Sequence, residues 1–87
     1  MTTKYGIRHY PKIGAFLAFK DTTLFGVVIK RSWLSPDGSV LGRNELIGKA
    51  ACPSKEGAIE SIRNHLDALN QEYVDEYVYK QEWWEEG

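Results

Sequence analysis

The sequence is poor in several features that define common protein classes. It holds one cysteine, Cys52, and its longest unbroken apolar stretch is the five residues Ala15–Phe19. One cysteine excludes an intramolecular disulfide framework, and five apolar residues are far too few to span a bilayer. Residues 1–12 contain no apolar segment of the kind that a secretory signal carries. These absences predict a soluble, cytoplasmic protein with no membrane partner.

Motifs for catalysis, metals and nucleotides are also missing. The two histidines, His9 and His65, and the single Cys52 have no recognised metal-ligand spacing. Neither a G-x-G-x-x-G nor a Walker pattern occurs. Cys52 lacks a partnering base, and a buried small hydrophobe is its expected role. We therefore predict that the protein is not an enzyme and uses no cofactor and no metal.

The near-neutral net charge of −1 conceals two halves of opposite sign. Residues 1–53 carry eight Lys and Arg against three acids, a net charge of +5, whereas residues 54–87 carry three against nine, a net charge of −6. At 87 residues, the chain has room for one domain, which buries about 64% of its surface on folding. We predict a single domain, 1–87, made of a basic β-sheet half and an acidic helical half.

The basic half has the alternating pattern of strands. Three strands are predicted, at Ile13–Lys20, Leu24–Leu34 and Val40–Ala51. Lys4–Tyr10 adds a fourth, short strand at an edge. Asp21–Thr23 is expected to form a polar turn, and Ser35–Ser39 is expected to form another because Pro, Asp and Gly favour turn geometry there.

The acidic half has helical periodicity. Ser54 is a suitable N-cap, and six apolar residues recur at steps of three and four: Ile59, Ile62, Leu66, Leu69, Tyr73 and Tyr77. Residues 73–84 favour strand by propensity and helix by pattern, and we follow the pattern. Such a helix outruns the sheet, so it either breaks near Asn70 or projects toward a partner. The predicted fold is α+β, an antiparallel sheet of three to four strands packed against one long C-terminal helix.

The acidic, aromatic C-terminus is the strongest functional signal. Residues 67–87 carry seven acids, one lysine and five aromatic residues. Tyr and Trp dominate binding hot spots, and acids steer a protein toward a basic partner. The predicted partner-binding residues are Asp67, Glu72, Asp75, Glu76, Tyr79, Glu82, Trp83, Trp84, Glu85 and Glu86. The alternative to a binding surface is that the aromatic residues complete a small core.

Two other functions remain open. Cations and an aromatic residue of the predicted sheet would form a nucleic-acid-binding module. Its residues would be Lys30, Arg31, Trp33, Arg43 and Lys49. A projecting helix would instead make the protein a homodimeric structural or adaptor subunit.

The helix entry Ser54–Ala58, after a short sheet in a small chain without enzyme motifs, supports one comparison. In size and arrangement, residues 13–80 resemble small phage-encoded anti-defence proteins, anti-CRISPR inhibitors among them. The resemblance implies inhibition by stoichiometric binding. An acidic surface would then occupy the basic groove that a host complex uses for nucleic acid.

Overall fold

The computed structural model describes residues 2–42 and 47–83, and within them the chain forms an α+β fold. Its elements are β1 (Thr2–Tyr10), β2 (Ala15–Leu24), β3 (Val27–Leu34), β4 (Ala51–Cys52), α1 (Lys55–Ala68) and β5 (Val78–Trp83). The strand order is β3-β2-β1-β5, and β4 pairs with the start of β2. Because β5 runs parallel to β1, the sheet is mixed and five-stranded, which corrects the expectation of an antiparallel sheet of three to four strands.

The first two strands differ from their predicted limits. β1 lies between β2 and β5, so the prediction that Lys4–Tyr10 forms an edge strand is wrong. Asp21–Thr23 is part of β2 rather than a turn. The chain reverses instead at Phe25 and Gly26, whose φ values of 52° and 79° correspond to the two-residue hairpin turn that matches strand twist.

The predicted turn at Ser35–Ser39 is confirmed. Asp37 Oδ1 accepts hydrogen bonds from the Ser35 hydroxyl and from the Ser39 backbone N–H. These two bonds lower the pKa of Asp37 to about 2. The turn is therefore held by the side chain that the sequence nominated for it.

The prediction of a continuous third strand over Val40–Ala51 is wrong. Val40 makes an isolated bridge to Leu34, Ile47–Ala50 forms a 3-10 helix, and Ala51–Cys52 pairs with β2. Residues 43–46 of this prediction lie outside the described part of the chain. Gly42 and Gly48 supply no side chain to pack on a pleated surface, so this segment gains little from strand pairing.

The Ser35–Ser39 turn docks on α1. Asn64 Nδ2 donates to the Pro36 carbonyl at 2.8 Å, and His65 Nδ1 donates to the Gly38 carbonyl at 2.9 Å. His65 Nε2 is then the acceptor for Lys20 Nζ at 3.3 Å. His65 is buried, so it acts as a structural link between helix, turn and sheet.

The helix begins as predicted and ends much earlier. The Ser54 hydroxyl accepts the Gly57 backbone N–H at 3.2 Å, which confirms the N-cap. Asn70 adopts φ 57°, and the Gln71 N–H bonds the Leu66 carbonyl at 2.9 Å, the pattern of a left-handed C-terminal cap. Of the two alternatives for a long helix, the break near Asn70 is the one that occurs.

After this break the chain returns to the sheet. Asp75–Tyr77 forms a 3-10 turn, and β5 then pairs with β1 from Val78 to Trp83. The prediction of helix over 73–84 is therefore wrong for the described part of that segment. Its Tyr, Val and Trp content suits a strand, and the partner strand β1 decides between propensity and pattern.

The main core lies between the sheet and α1. Ile62 and Leu66 of the helix are buried against Ile7, Ala18 and Leu34 of the sheet. A smaller cluster on the opposite sheet face joins Ala15, Leu17 and Ala50. The sheet is thus covered by α1 on one face and in part by the segment before β4 on the other.

Candidate functional site

The sheet face opposite α1 carries a cluster of four charged residues, which we call the ionic cluster: Arg8, Asp21, Arg31 and Glu82. Arg31 donates to both carboxylate oxygens of Asp21, at 2.7 and 2.9 Å. Its Nη1 lies 2.6 Å from Glu82 Oε1, and Arg8 Nη2 lies 3.0 Å from Glu82 Oε2. The Asp21 side chain is fully buried, and ion pairs of the cluster join β1, β2, β3 and β5.

Aromatic side chains support the two guanidinium groups. The Arg31 guanidinium lies 3.9 Å from the centre of the Phe19 ring, and that of Arg8 lies 5.1 Å from the Trp33 ring. The Tyr79 hydroxyl donates to Asp21 Oδ2 at 2.5 Å. An extra residue in β5 opposite the Tyr5–Gly6 step lets Tyr79 join this layer.

The cluster shifts the pKa of its members. Burial raises the pKa of Asp21, but the hydrogen bonds from Arg31 and Tyr79 outweigh burial and leave that pKa below its usual value. Burial also raises the pKa of Glu82, but the hydrogen bonds from Arg8 and Arg31 outweigh burial and leave that pKa below its usual value. The bond to Asp21 chiefly raises the pKa of Arg31. Asp21, Glu82 and Arg31 are therefore charged at neutral pH.

The stability of the fold should depend on this ionisation. Free carboxyl groups have a pKa of about 4, and the pKa values of Asp21 and Glu82 in the folded protein are lower. The two ionised groups therefore stabilise the folded state above about pH 5. This stabilisation is lost as the pH falls through about 4 and below. Urea unfolding at pH 7, 5, 4 and 3 should show this decline. For Asp21→Asn, the free energy of unfolding should be lower at pH 7 and should fall less steeply as the pH decreases. A pH dependence parallel to that of the wild type would contradict the role of Asp21 in this decline.

This cluster takes up residues that the sequence assigned to partners. Tyr79 and Glu82 belong to the predicted partner-binding set, and both point into the cluster. Arg31 and Trp33 belong to the predicted nucleic-acid-binding set. Arg31 is a member of the cluster, and the Trp33 ring lies against the Arg8 guanidinium. Lys30 pairs with Thr22, one strand position from the Arg31–Asp21 pair, so Lys30 and Arg31 lie on opposite faces of β3. These two cations of the predicted nucleic-acid-binding set therefore do not share one basic face.

A second feature, on the helix side of the sheet, brings other predicted residues together. We call it the α1–β5 groove. It is a chain of three clefts of about 270, 270 and 480 Å³. The first two share Ile7, Lys55 and Gln81, and the last two share Tyr73. The groove therefore follows α1 along the outermost strand, β5.

One end of the groove is acidic. Its lining includes Glu60, Asp67, Glu72 and Asp75. Three of these, Asp67, Glu72 and Asp75, are predicted partner-binding residues, and all three are exposed. Arg63 is the cation of this end, and its guanidinium lies 4.9 Å from the Tyr73 ring centre. The acidic end thus presents a surplus of negative charge beside an aromatic ring.

The other end of the groove is aromatic. His9 stacks on Phe16 with ring centres 4.1 Å apart and planes 3° from parallel. Trp83 meets His9 edge-on at 4.8 Å and is 63% exposed. Lys55, at the first position of α1, completes this end. The arrangement offers a flat apolar contact surface next to one cation.

The remaining predicted residues fall elsewhere. Glu76 and Lys49 are exposed, and neither lines the groove. Arg43, Trp84, Glu85 and Glu86 lie outside the described residues. Sequence reasoning did not assign His9, Phe16 or Glu60 to this site. The cross-strand pairing of His9 with Phe16 is the relation that unites the first two, and it requires knowledge of the β1–β2 register.

Comparison with protein families, with curated proteins and with solved structures returned no match to this chain. Within residues 2–42 and 47–83, no helix is long and apolar enough to cross a membrane. The same residues contain no group of three or more His, Cys, Asp or Glu placed to hold a metal ion. The site must therefore be interpreted from its own geometry and charge.

Proposed function

We propose that this protein is a non-enzymatic binding module that takes a basic segment of a partner protein into the α1–β5 groove. The observation that carries the proposal is that the segment leading from the end of α1 toward β5, residues 67–75, places the three acids Asp67, Glu72 and Asp75 along one groove. None of these three carboxylates takes part in the ionic cluster. Asp75 is hydrogen-bonded to the Tyr73 hydroxyl, and the exposed Asp67 and Glu72 are available to an outside cation.

The groove also has the parts needed to orient such a segment. Because β5 is an outermost strand, an extended partner segment can add to it by backbone hydrogen bonds. Lys or Arg of the segment would face the acidic end, and an apolar residue would contact Phe16 and Trp83 at the aromatic end. The acids would raise the rate of association and fix the position of the segment in the groove, whereas the aromatic contact, buried on binding, would supply most of the affinity.

We further propose that binding is inhibitory. A protein surface that presents Lys and Arg on an extended segment is typical of complexes that handle nucleic acid. Occupying that surface with acids would exclude the nucleic acid, which is the action that the resemblance to phage-encoded anti-defence inhibitors implies. The nucleic-acid-binding alternative has less support, because Arg31 and Trp33 are engaged within the fold.

A peptide titration tests the groove. The probes are ten-residue peptides of alternating lysine and leucine, with a glutamate–leucine peptide of the same length as a control. We expect Trp fluorescence to change with the lysine peptide only, at micromolar concentration. Raising the salt from about 50 to 500 mM should weaken binding by roughly tenfold or more, because exposed charges are screened. Asp67→Lys/Glu72→Lys should abolish the response.

Glu56→Lys is the matched control, since Glu56 is an exposed acid of the first turn of α1 that does not line the groove. It should bind the lysine peptide nearly as well as the wild type. Equal weakening by Glu56→Lys and by the groove variant would show that net charge, and not the groove, decides binding. A gel shift with duplex DNA by the wild type at micromolar protein would instead favour the nucleic-acid alternative.

A further inference from the structure

The β2–β3 hairpin ends in an apolar tip that the rest of the described fold does not cover. Phe25 is 96% exposed, and Leu24, Val27, Val28 and Ile29 are each at least 40% exposed. Successive residues of a strand point to opposite faces, so the tip is bare on both faces. No charged residue occurs from Thr22 to Ile29.

Phe25 occupies a position that does not suit its residue type. Its φ of 52° lies in the left-handed region, where the turn favours Asn, Asp or Gly. The Phe25 ring is almost fully in solvent, so contacts within the described fold do not explain the choice of residue. A large apolar side chain at a disfavoured turn position, exposed to water, indicates a surface that is covered by another molecule.

We propose that the hairpin tip, residues 24–29, is the contact through which two copies of this chain form a two-fold symmetric dimer. In such an interface each copy contributes the same patch, and a patch without charges meets its own copy without repulsion. The five side chains expose on the order of 500 Å². Two copies therefore bury at most roughly 1,000 Å², which is at the lower limit of a specific interface.

This size predicts a weak dimer that forms and dissociates with concentration. The contact lies away from the α1–β5 groove in sequence and in strand position, so each copy keeps its groove. The proposal does not depend on the proposed function.

Sedimentation velocity from about 5 µM to 1 mM tests the dimer. We expect the wild type to pass from monomer to dimer over this range, and Phe25→Asn to remain monomeric. Asn accepts the left-handed conformation, so this variant should unfold at the same or a higher temperature in dilute solution. Loss of dimer together with retained stability separates an interface defect from a folding defect.

Ile13→Asn is the matched control. Ile13 is 73% exposed and precedes β2, at the opposite end of that strand from the hairpin. It should dimerise like the wild type. A wild type that is monomeric at 1 mM, or a Phe25→Asn variant that still dimerises, would overturn the proposal. Co-sedimentation of a monomeric wild type with phosphatidylcholine vesicles would also overturn it and would assign the tip to a lipid surface.

Discussion

Replacing Arg31 by methionine is expected to lower the free energy of unfolding by about 3 kcal/mol, as removal of one partner of a buried ion pair typically does. Arg31 donates two hydrogen bonds to Asp21 and also neutralises Glu82. Without it, the fully buried Asp21 carboxylate loses both hydrogen bonds from Arg31 and retains the one from the Tyr79 hydroxyl. Urea unfolding at pH 7 measures the loss.

Lys30→Met is the control, because Lys30 is the neighbouring cation on β3 and is exposed. It should change stability by less than about 0.5 kcal/mol. In the double variant Asp21→Leu/Arg31→Met, much of the loss should be recovered, since an apolar pair of similar volume often replaces a buried ion pair without penalty. A similar loss in Lys30→Met and Arg31→Met would show that the ionic cluster has no special role.

Replacing Gly6 by alanine is expected to destabilise the fold by about 2–4 kcal/mol, as overpacking of a tight interior does. A Cβ at this position would lie 2.2 Å from Phe19 Cζ and 2.8 Å from the Lys80 carbonyl oxygen. The Phe19 ring is fully buried and lies under the Arg31 guanidinium, so it cannot move aside without disturbing the ionic cluster. Thermal unfolding should show a much lower midpoint.

Gly48→Ala is the matched substitution, because a Cβ there meets no atom within 4 Å. It should leave the unfolding midpoint unchanged or raise it slightly through the entropy of the unfolded chain. If Gly6→Ala proved as stable as Gly48→Ala, the close approach of Phe19 to β1 would be wrong, and with it the packing beneath the ionic cluster.

The two proposals have a joint consequence for binding. A dimer through the hairpin tips carries two α1–β5 grooves, and a partner with two basic segments would bind both with increased avidity. Phe25→Asn should leave the affinity for a single lysine peptide unchanged. The groove variant Asp67→Lys/Glu72→Lys should leave the dimer unchanged. The two ideas can therefore fail separately.

Local signals predicted those elements that depend on a few neighbouring residues. Ser54 caps the helix and Asp37 holds its turn, because each bonds backbone groups within three residues along the chain. The end of the helix near Asn70 also follows from local chemistry, since Asn accepts the left-handed conformation. Prediction failed for the described residues 73–83, where helical spacing and strand propensity conflict and the pairing with β1 resolves the conflict.

Predictions for the site follow the same division. The sequence identified the acidic, aromatic half as the functional candidate, and the structure brings Asp67, Glu72, Asp75 and Trp83 to one groove. Tyr79 and Glu82 belong to the same stretch but turn toward the opposite sheet face. Their partners, Asp21, Arg8 and Arg31, come from other strands, and a pairing across 50 or more residues leaves no local trace.

The sequence by itself determined the fold class, the helix entry and the separation of charge between the two halves, because composition, spacing and capping are local properties of the chain. Only the tertiary structure decided how that charge is used. It pairs the arginines of the sheet with Asp21 and Glu82, gathers the remaining acids in a groove beside β5, and leaves an uncharged hairpin tip in solvent. These outcomes depend on strand order and register, which bring distant residues together and which no short segment encodes.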